Sequence, residues 1–482
     1  MKVFTITQNT SFLTAASILQ KVISFVYFTI IARIIGVENT GVYFFAITFT
    51  AIFTVIADFG MGPVLTREVA RYPEKTQEYL HTAFWSKVMF GLISYGLVIF
   101  FVNVFNYPDL TILLVSISGV TMFFDNLHAA FYAVFRARKN LIFESIGIVV
   151  SQAITLIIGS LALFNHWHLY WLILAYTIPA ILNFIFSAIF LRKIYSLKYY
   201  FSFDSKIFKM FLGFALPFAL AGIIGRLYSY SDSLLMSKML SAQELGWWSV
   251  PYKITFAFQF VPVALSASVY PVMSALFITQ KDKIGYLFLK SWRYLFTIVF
   301  PISFGLISLA TPIIIKLYKP QFAPAIPVLR ILMISLIFGY LSFITGATLN
   351  ASNRQKTQTS LLAFALVVNI TANLILLPKI GIMGAAFAAL LSNIILSVGG
   401  FWFCRSIISI DIRLLFKYFN QTFWPALIIA ILAYYLSFKI SFIIIIPSVA
   451  ILYGLLLFVS GGVDKDLIVK FYNKILDSRK VI

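Results

Sequence analysis

Six basic side chains fall inside apolar stretches long enough to cross a bilayer: Lys21, Arg33, Lys87, Arg226, Lys253 and Arg330. A cation at the bilayer centre costs roughly 3 kcal/mol or more unless it faces protein or water. These positions are therefore where chemistry is expected. Lys21 and Arg226 lie deepest, about ten and seventeen residues into their stretches. On a helix, the face three, four and seven residues beyond Arg226 carries Ser229, Tyr230 and Ser233. The same face beyond Lys21 carries Ser24, Phe25 and Phe28, and Lys253 sits beside Tyr252 and Phe256. Cations neutralise a phosphate, hydroxyls bond to sugars, and aromatic faces cover sugar rings. Lys21, Arg226, Lys253 and Arg330 are thus expected as the cations of a substrate cavity, with Ser24, Ser229, Tyr230 and Tyr252 as its polar and aromatic lining. The alternative is that each cation pairs with a buried acid and only fixes helix packing. Arg33 and Lys87 lie near stretch ends, where long side chains reach the interface.

The acids in or near these stretches are Asp58, Asp125, Glu144 and Asp232. An intramembrane carboxylate can bind H+ or Na+ and couple transport to a gradient. Asp58, Asp125 and Asp232 are the expected coupling positions; for each the alternative is a salt bridge or a helix cap. Other chemistries find little support. There is no Walker A loop for direct use of ATP, and no HExxH. His81, His128, His166 and His168 form no metal set, and the single Cys404 excludes both an intrachain disulfide and a multi-thiolate site. Asp464-Lys465-Asp466 spells the DxD that holds a metal in some glycosyltransferases, but three residues in a short basic tail read as chance. No catalytic residue, metal site or cofactor is expected beyond a coupling H+ or Na+.

The elements carrying these residues must be membrane helices. Of 482 residues, 61% are hydrophobic and 11% charged, against roughly a quarter charged in soluble domains. Fourteen apolar runs follow one another, at 11–35, 41–64, 82–105, 110–135, 141–164, 168–192, 209–238, 244–277, 288–310, 324–349, 357–378, 382–404, 415–437 and 441–460. In lipid every backbone polar group needs an internal partner, so these runs are helices. No period-two alternation suggests a β-barrel. The first run carries Lys21 and lacks a small-residue cleavage site, so it reads as a span and not as a cleaved signal.

The net charge of +21 would suggest nucleic acid in a soluble chain. Here the cations flank the spans, so the reading is membrane topology and anionic lipid headgroups, with no nucleic-acid partner. With the six intramembrane cations set aside, one side of the membrane receives 26 basic residues and the other receives 5, namely Lys238, Lys316, Lys319, Lys379 and Lys439. The basic side is called inner below. A multi-pass protein with both termini cytoplasmic is expected. The largest inner segments, 65–81, 193–208 and the tail after Gly462, are too short for a folded catalytic domain.

The chain also echoes itself. Shifting Lys21–Tyr43 by 205 positions onto Arg226–Trp248 aligns Lys21 with Arg226, Arg33 with Lys238, Glu38 with Gln243 and Gly41 with Gly246. Parallel repeats of this kind build many secondary transporters. Residues 1–208 are expected as an N-terminal lobe of six spans, 209–405 as a second lobe, and 406–482 as two appended spans and a tail. Pro217 in span 7, and Pro251, Pro262 and Pro271 in span 8, predict bends that act either as hinges or as static kinks.

The stretch IARIIGVENTGVYFFAITFTAIFTVIADFGMGPVLTREVAR, residues 31–71, resembles the N-terminal signature of the bacterial polysaccharide-biosynthesis or oligosaccharide flippase family (Wzx-type). The matching positions are Arg33, Gly36, Glu38, Gly41-Val42-Tyr43 and Asp58-Phe59-Gly60. Residues 249–274 resemble that family's eighth span. The resemblance implies the multidrug/oligosaccharidyl-lipid/polysaccharide (MOP) exporter fold: an all-α polytopic chain of about fourteen helices, with two six-helix lobes in a V around a cavity and two C-terminal helices. It further implies an undecaprenyl-diphosphate-linked oligosaccharide as cargo, flipped across the bacterial inner membrane for O-antigen, capsule or exopolysaccharide. A polysaccharide polymerase is an expected partner of such a pathway. In related lipid II flippases the two extra helices form a groove for the lipid tail.

Two other functions compete. A MATE-like exporter of cationic drugs or metabolites would favour carboxylates in the spans, yet the spans hold more basic than acidic residues. A polytopic glycan polymerase or transferase would need a catalytic residue on a large outer loop, and the outer connections are only a few residues long.

Overall fold

The structure is a computed structural model that describes residues 6–198 and 200–462, with side chains from Ser11 onward. The Asp464-Lys465-Asp466 triplet and the terminal basic residues Lys2, Lys465, Lys470, Lys474, Arg479 and Lys480 lie outside the described residues. All regular structure among the described residues is helical: α1 (Ile6–Asp58), α2 (Met61–Arg71), α3 (Thr76–Val104), α4 (Asp109–Ala137), α5 (Ile142–Phe164), α6 (Tyr170–Tyr195), α7 (Ser205–Met239) and α8 (Ala242–Phe258). There follow α9 (Phe260–Thr279), α10 (Asp282–Ser308), α11 (Ala310–Tyr318), α12 (Ala325–Ala351), α13 (Gln355–Ile380), α14 (Ile382–Arg405), α15 (Ile412–Leu436) and α16 (Phe442–Ser460). Thirteen stretches are long and apolar enough to cross a membrane, and the first, Ser11–Arg71, contains two of the fourteen apolar runs.

Those two runs are not joined by the polar turn their sequence suggests. The chain bends at Gly36, at φ 80° and ψ 177°, and resumes a helix at once. Only glycine adopts such angles without strain. The helix then ends at Asp58-Phe59-Gly60. Phe59 has φ 44°, Gly60 has φ 74°, and α2 sets off in a new direction. Phe59 stacks on Phe90 of α3, with ring centroids 4.7 Å apart. A Cβ on Gly60 would lie 2.7 Å from the Ala215 carbonyl oxygen, so glycine is what lets α7 pack there.

The helices divide into two compact units. Unit 1 lies within Met1–Ser249 and Asn373–Ile382, and unit 2 within Val250–Ala372 and Met383–Ile482. In unit 1, the apolar face of α2 (Met61, Val64, Leu65, Val69) packs on Leu80 and Ala83 of α3, Phe131 and Phe135 of α4, and Phe211 and Ala215 of α7. Between membrane helices, attraction comes from close packing and not from expelling water, so small residues matter. Gly159 and Gly147 show this: a Cβ at either would overlap the hydroxyl of Tyr27 or Tyr132.

The two glycines of the internal echo also meet, and they do so reciprocally. A Cβ on Gly41 would overlap the Ala242 carbonyl oxygen, and one on Gly246 would overlap the Val37 carbonyl oxygen. Both contacts run between residues four apart in each copy and equivalent under the 205-residue shift, so the echo is a structural symmetry as well as a sequence match.

In unit 2, α10 is central and packs on α12 and α15. Phe296, Phe300 and Phe304 of α10 meet Phe419 and Phe423 of α15 edge-on, at 5.4 to 5.8 Å. Such pairs each contribute about 0.5–1.5 kcal/mol beyond burial. Arg293 of α10 donates to the Gly461 carbonyl at 2.9 Å, and Tyr453 of α16 donates to the Thr297 carbonyl at 3.0 Å. These contacts fix the two C-terminal helices. The bend in span 8 has a defined cause. Pro262 has no N–H to give Phe258, so the helix breaks between α8 and α9. The freed Phe258 carbonyl accepts from the buried Tyr340 hydroxyl of α12 at 2.6 Å.

Candidate functional site

Lys21 and Arg226 stand at equivalent distances before the Gly36 bend and the end of α7. Lys21 stands fifteen residues before Gly36, and Arg226 fifteen before Ser241 in the shifted copy, which is about 22 Å along each helix. Both belong to unit 1. Lys21 is half-buried. Arg226 is exposed and makes no ion pair among the described residues. Ser229 beside it returns its hydroxyl to the Gly225 carbonyl at 2.9 Å, and Tyr230 is half-buried. Ser24 instead hydrogen-bonds Tyr176, which also bonds Tyr43, tying α1 to α6.

Lys253 and Arg330 belong to unit 2. Lys253 is half-buried, and Tyr252 stacks nearly parallel on Phe256 one turn along, at 6.1 Å. Arg330 stands in the first turns of α12 and donates to the Thr311 hydroxyl of α11 at 3.3 Å.

Lys87 differs from its sequence reading. It does not reach an interface: its side chain is 0% exposed and pairs with Asp58, whose side chain is 34% exposed. The ammonium also donates to the Asn126 carbonyl at 3.2 Å and to Asn126 Oδ1 at 3.0 Å. Asn126 Nδ2 in turn donates to the carbonyls of Ala57 at 2.9 Å and Lys87 at 3.2 Å. Three acceptors meet three N–H donors, so the buried cation is satisfied. The Asp-x-Gly motif thus binds α3 through its aspartate and its aromatic, and admits α7 through its glycine. Sequence reasoning missed Lys87 and Asn126 because 29 and 68 residues separate them from Asp58, and no local spacing marks the meeting.

The other carboxylates differ in setting. Asp125 on α4 is exposed, with His128 Nδ1 at 3.7 Å. Asp232 on α7 is buried and accepts from Asn373 Nδ2 at 2.7 Å. Glu144 forms a two-pronged ion pair with Arg136 across the inner connection between α4 and α5. At the outer end of unit 1, Lys238 donates to the Phe105 carbonyl and lies 3.5 Å from the Tyr107 ring centroid. The Tyr107 hydroxyl is 2.8 Å from Ser237 Oγ. Burial pushes the Tyr107 phenol up from its ordinary value, and the bond to Ser237 acts against that. No group of three or more His, Cys, Asp or Glu suited to a metal occurs among the described residues.

The chain matches the family described as polysaccharide biosynthesis protein over residues 6–277, more than half its length. It is 21% identical to the capsular polysaccharide biosynthesis protein CapF of Staphylococcus aureus over 408 residues, covering 83% of this chain and 99% of that one. To the teichuronic acid biosynthesis protein TuaB of Bacillus subtilis it is 23% identical over 317 residues, 62% of each chain. Among solved structures, the lipid II flippase MurJ in an inward closed conformation aligns with a TM-score of 0.76 at 18% identity, over 96% of this chain and 99% of MurJ. An inward-facing multidrug-resistance MATE transporter of the MOP superfamily aligns with a TM-score of 0.68 at 14% identity, over 80% and 94%. The architecture is therefore the MOP fold expected from the signature.

Proposed function

We propose that this chain, which belongs to the polysaccharide biosynthesis protein family, is a flippase for an undecaprenyl-diphosphate-linked oligosaccharide. It is a transporter and not an enzyme, and it moves its cargo from the cytoplasmic to the outer leaflet of a bacterial inner membrane by alternating access. The observation that carries this reading is Arg226: an exposed guanidinium far inside an apolar helix, beside hydroxyls and without an ion-pair partner among the described residues. An arginine in that position is tolerated where it faces water or an anionic ligand. A diphosphate supplies the anion, and Arg226 binds it with Lys21 of the same unit. The glycan occupies the polar cavity and the polyprenyl tail stays in lipid.

Coupling to H+ or Na+ is assigned to Asp58, Asp125 and Asp232. Asp125 is the most open of the three, with His128 beside it, whereas Asp58 must first part from Lys87. Alternating access uses the bends of spans 7 and 8 as hinges.

The test uses cells in which this gene is deleted and glycan polymerisation is blocked. The undecaprenyl-linked oligosaccharide is probed with a membrane-impermeant label. It is expected to be hidden in the deletion and exposed on restoring the gene. Exposure without the gene, in a strain lacking any second flippase, removes the proposal and turns attention to export of cationic drugs.

A further inference from the structure

Along α4 the polar residues Asp125, His128, Tyr132 and Arg136 follow one another at spacings of three, four and four, so they share one face of the helix. The stripe starts at Asp125, twelve residues before the end of α4 at Ala137, which is about 18 Å of helix. It ends at Arg136, whose guanidinium holds Glu144 at the inner connection. Between them Tyr132 is buried and donates its hydroxyl to Asn183 Oδ1 of α6. The stripe thus runs from the apolar part of the span to the inner solution.

At its deep end two titratable groups meet. Asp125 Oδ1 lies 3.7 Å from His128 Nδ1, with the aspartate side chain 55% exposed and the histidine 15%. The His128 ring also meets the Tyr132 ring edge-on, at 5.2 Å. The remaining groups that act on His128 are the Phe124 backbone of its own helix, the Lys87 ammonium of α3 and the Arg136 guanidinium. The helices α1, α2, α5 and α6 also pack on α4, and none brings a charged group to His128 among the described residues. An ionised aspartate inside a span costs about 3 kcal/mol, and a bound proton removes that cost. Asp58 is closed by Lys87, whereas Asp125 forms no ion pair with lysine or arginine among the described residues.

The setting also chooses the ion. A hard metal cation takes several oxygen ligands. Here the neighbour of the carboxylate is an imidazole nitrogen, and the charges next in line are two cations, Lys87 and Arg136. A proton needs one lone pair, on oxygen or on nitrogen.

We propose that Asp125 and His128 form a single proton-binding unit, and that the coupling ion is therefore H+ and not Na+. Uptake from the inner solution forms one O–H bond on Asp125 or one N–H bond on His128, using a lone pair already there. The pair changes from singly negative to neutral. Release on the outer side breaks the same bond and restores the charge. Asn126, next in the chain to Asp125, holds the Lys87 ammonium through its carbonyl and Oδ1, so the change of charge falls beside the joint that Lys87 makes with Asp58. That protons drive transport rests on the flippase reading; proton binding itself does not.

The purified full chain is treated with dicyclohexylcarbodiimide, which reacts with protonated carboxyls in apolar surroundings. Peptide mass spectrometry reads the fraction modified at Asp125. Asp125 is expected to be modified, and the modification to fall at least tenfold as the pH is raised through one midpoint. His128→Gln is expected to move that midpoint by at least one pH unit, and exchanging K+ for Na+ to change nothing. No modification of Asp125 at any pH overturns the proton site. An unmoved midpoint in His128→Gln overturns the pair, and protection by Na+ overturns the assignment of H+. Should His128→Gln fail to fold, acylating the histidines of the folded wild-type protein with diethyl pyrocarbonate must move the midpoint as far, and an unmoved midpoint overturns the pair. Transport is no part of this readout, so its failure leaves the flippase reading standing, and failure of oligosaccharide transfer leaves the proton site standing.

Discussion

Replacing Asp58 by asparagine should cost more stability than replacing Lys87 by methionine, although the same ion pair is lost in both. The reason is the asymmetry of burial, 0% exposure for the lysine side chain against 34% for the aspartate. Asp58→Asn leaves an ammonium in the interior with only neutral acceptors, the Asn126 carbonyl and side-chain oxygen. Removing one partner of a buried pair costs about 3–5 kcal/mol when the other charge stays buried. Lys87→Met keeps the volume and leaves a carboxylate with an open path to water. Its cost reduces to lost charged hydrogen bonds, about 1.5–3 kcal/mol, partly repaid by hydration. The double variant removes both charges and should be more stable than Asp58→Asn alone. Unfolding of the purified protein by SDS in mixed micelles, followed by tryptophan fluorescence, orders the variants. A Lys87→Met variant less stable than Asp58→Asn would refute the reasoning, because the aspartate would then be the charge that cannot be hydrated.

Two further predictions concern helix contacts. Gly41→Ala or Gly246→Ala puts a methyl into a backbone oxygen of the facing segment, so each should sharply lower the yield of folded protein in fluorescence-detected gel filtration. Gly96→Ala, where nothing lies within 4 Å, should leave that yield unchanged. Tyr340→Phe strands the carbonyl that Pro262 leaves open and should cost about 1–3 kcal/mol in the same SDS titration; a neutral result would mean that another donor reaches Phe258.

The helical runs were plain in the sequence because lipid imposes one solution on every span, and each of the fourteen expected runs is mainly helical, the second interrupted at Phe59-Gly60 and the eighth at Gln259. The signature residues were legible as a pattern, but what they do was not. Asp58-Phe59-Gly60 reads as a span end, whereas the structure makes it a three-way joint to α3 and α7. Such joints depend on residues brought in from other spans, and hydropathy carries no record of them. The short helices α2 and α11 were hidden for a related reason: at eleven and nine residues they are too short to cross a bilayer, and so they merged with span ends and connections. Gly41 and Gly246 were matched as equivalents of one another, but their mutual contact became visible only with the backbone in place. Of the candidate site, the grouping of Lys253 with Arg330 was readable from their order in the chain, while the placing of Arg226, expected in the lobe 209–405, in one unit with Lys21 was not.

The central claim is that this chain flips a diphosphate-linked oligosaccharide and uses intramembrane cations to do so. Its most direct test is reconstitution of the purified protein in sealed vesicles that carry an undecaprenyl-diphosphate oligosaccharide, with a glycan-labelling enzyme added outside. Wild-type protein should make the inner pool of oligosaccharide accessible under an imposed H+ or Na+ gradient. Lys21→Ala/Arg226→Ala protein, folded and incorporated equally, should slow this at least tenfold. Equal rates for the two proteins would contradict the anchoring role of these cations, and no transfer by the wild type under either gradient would contradict the function itself.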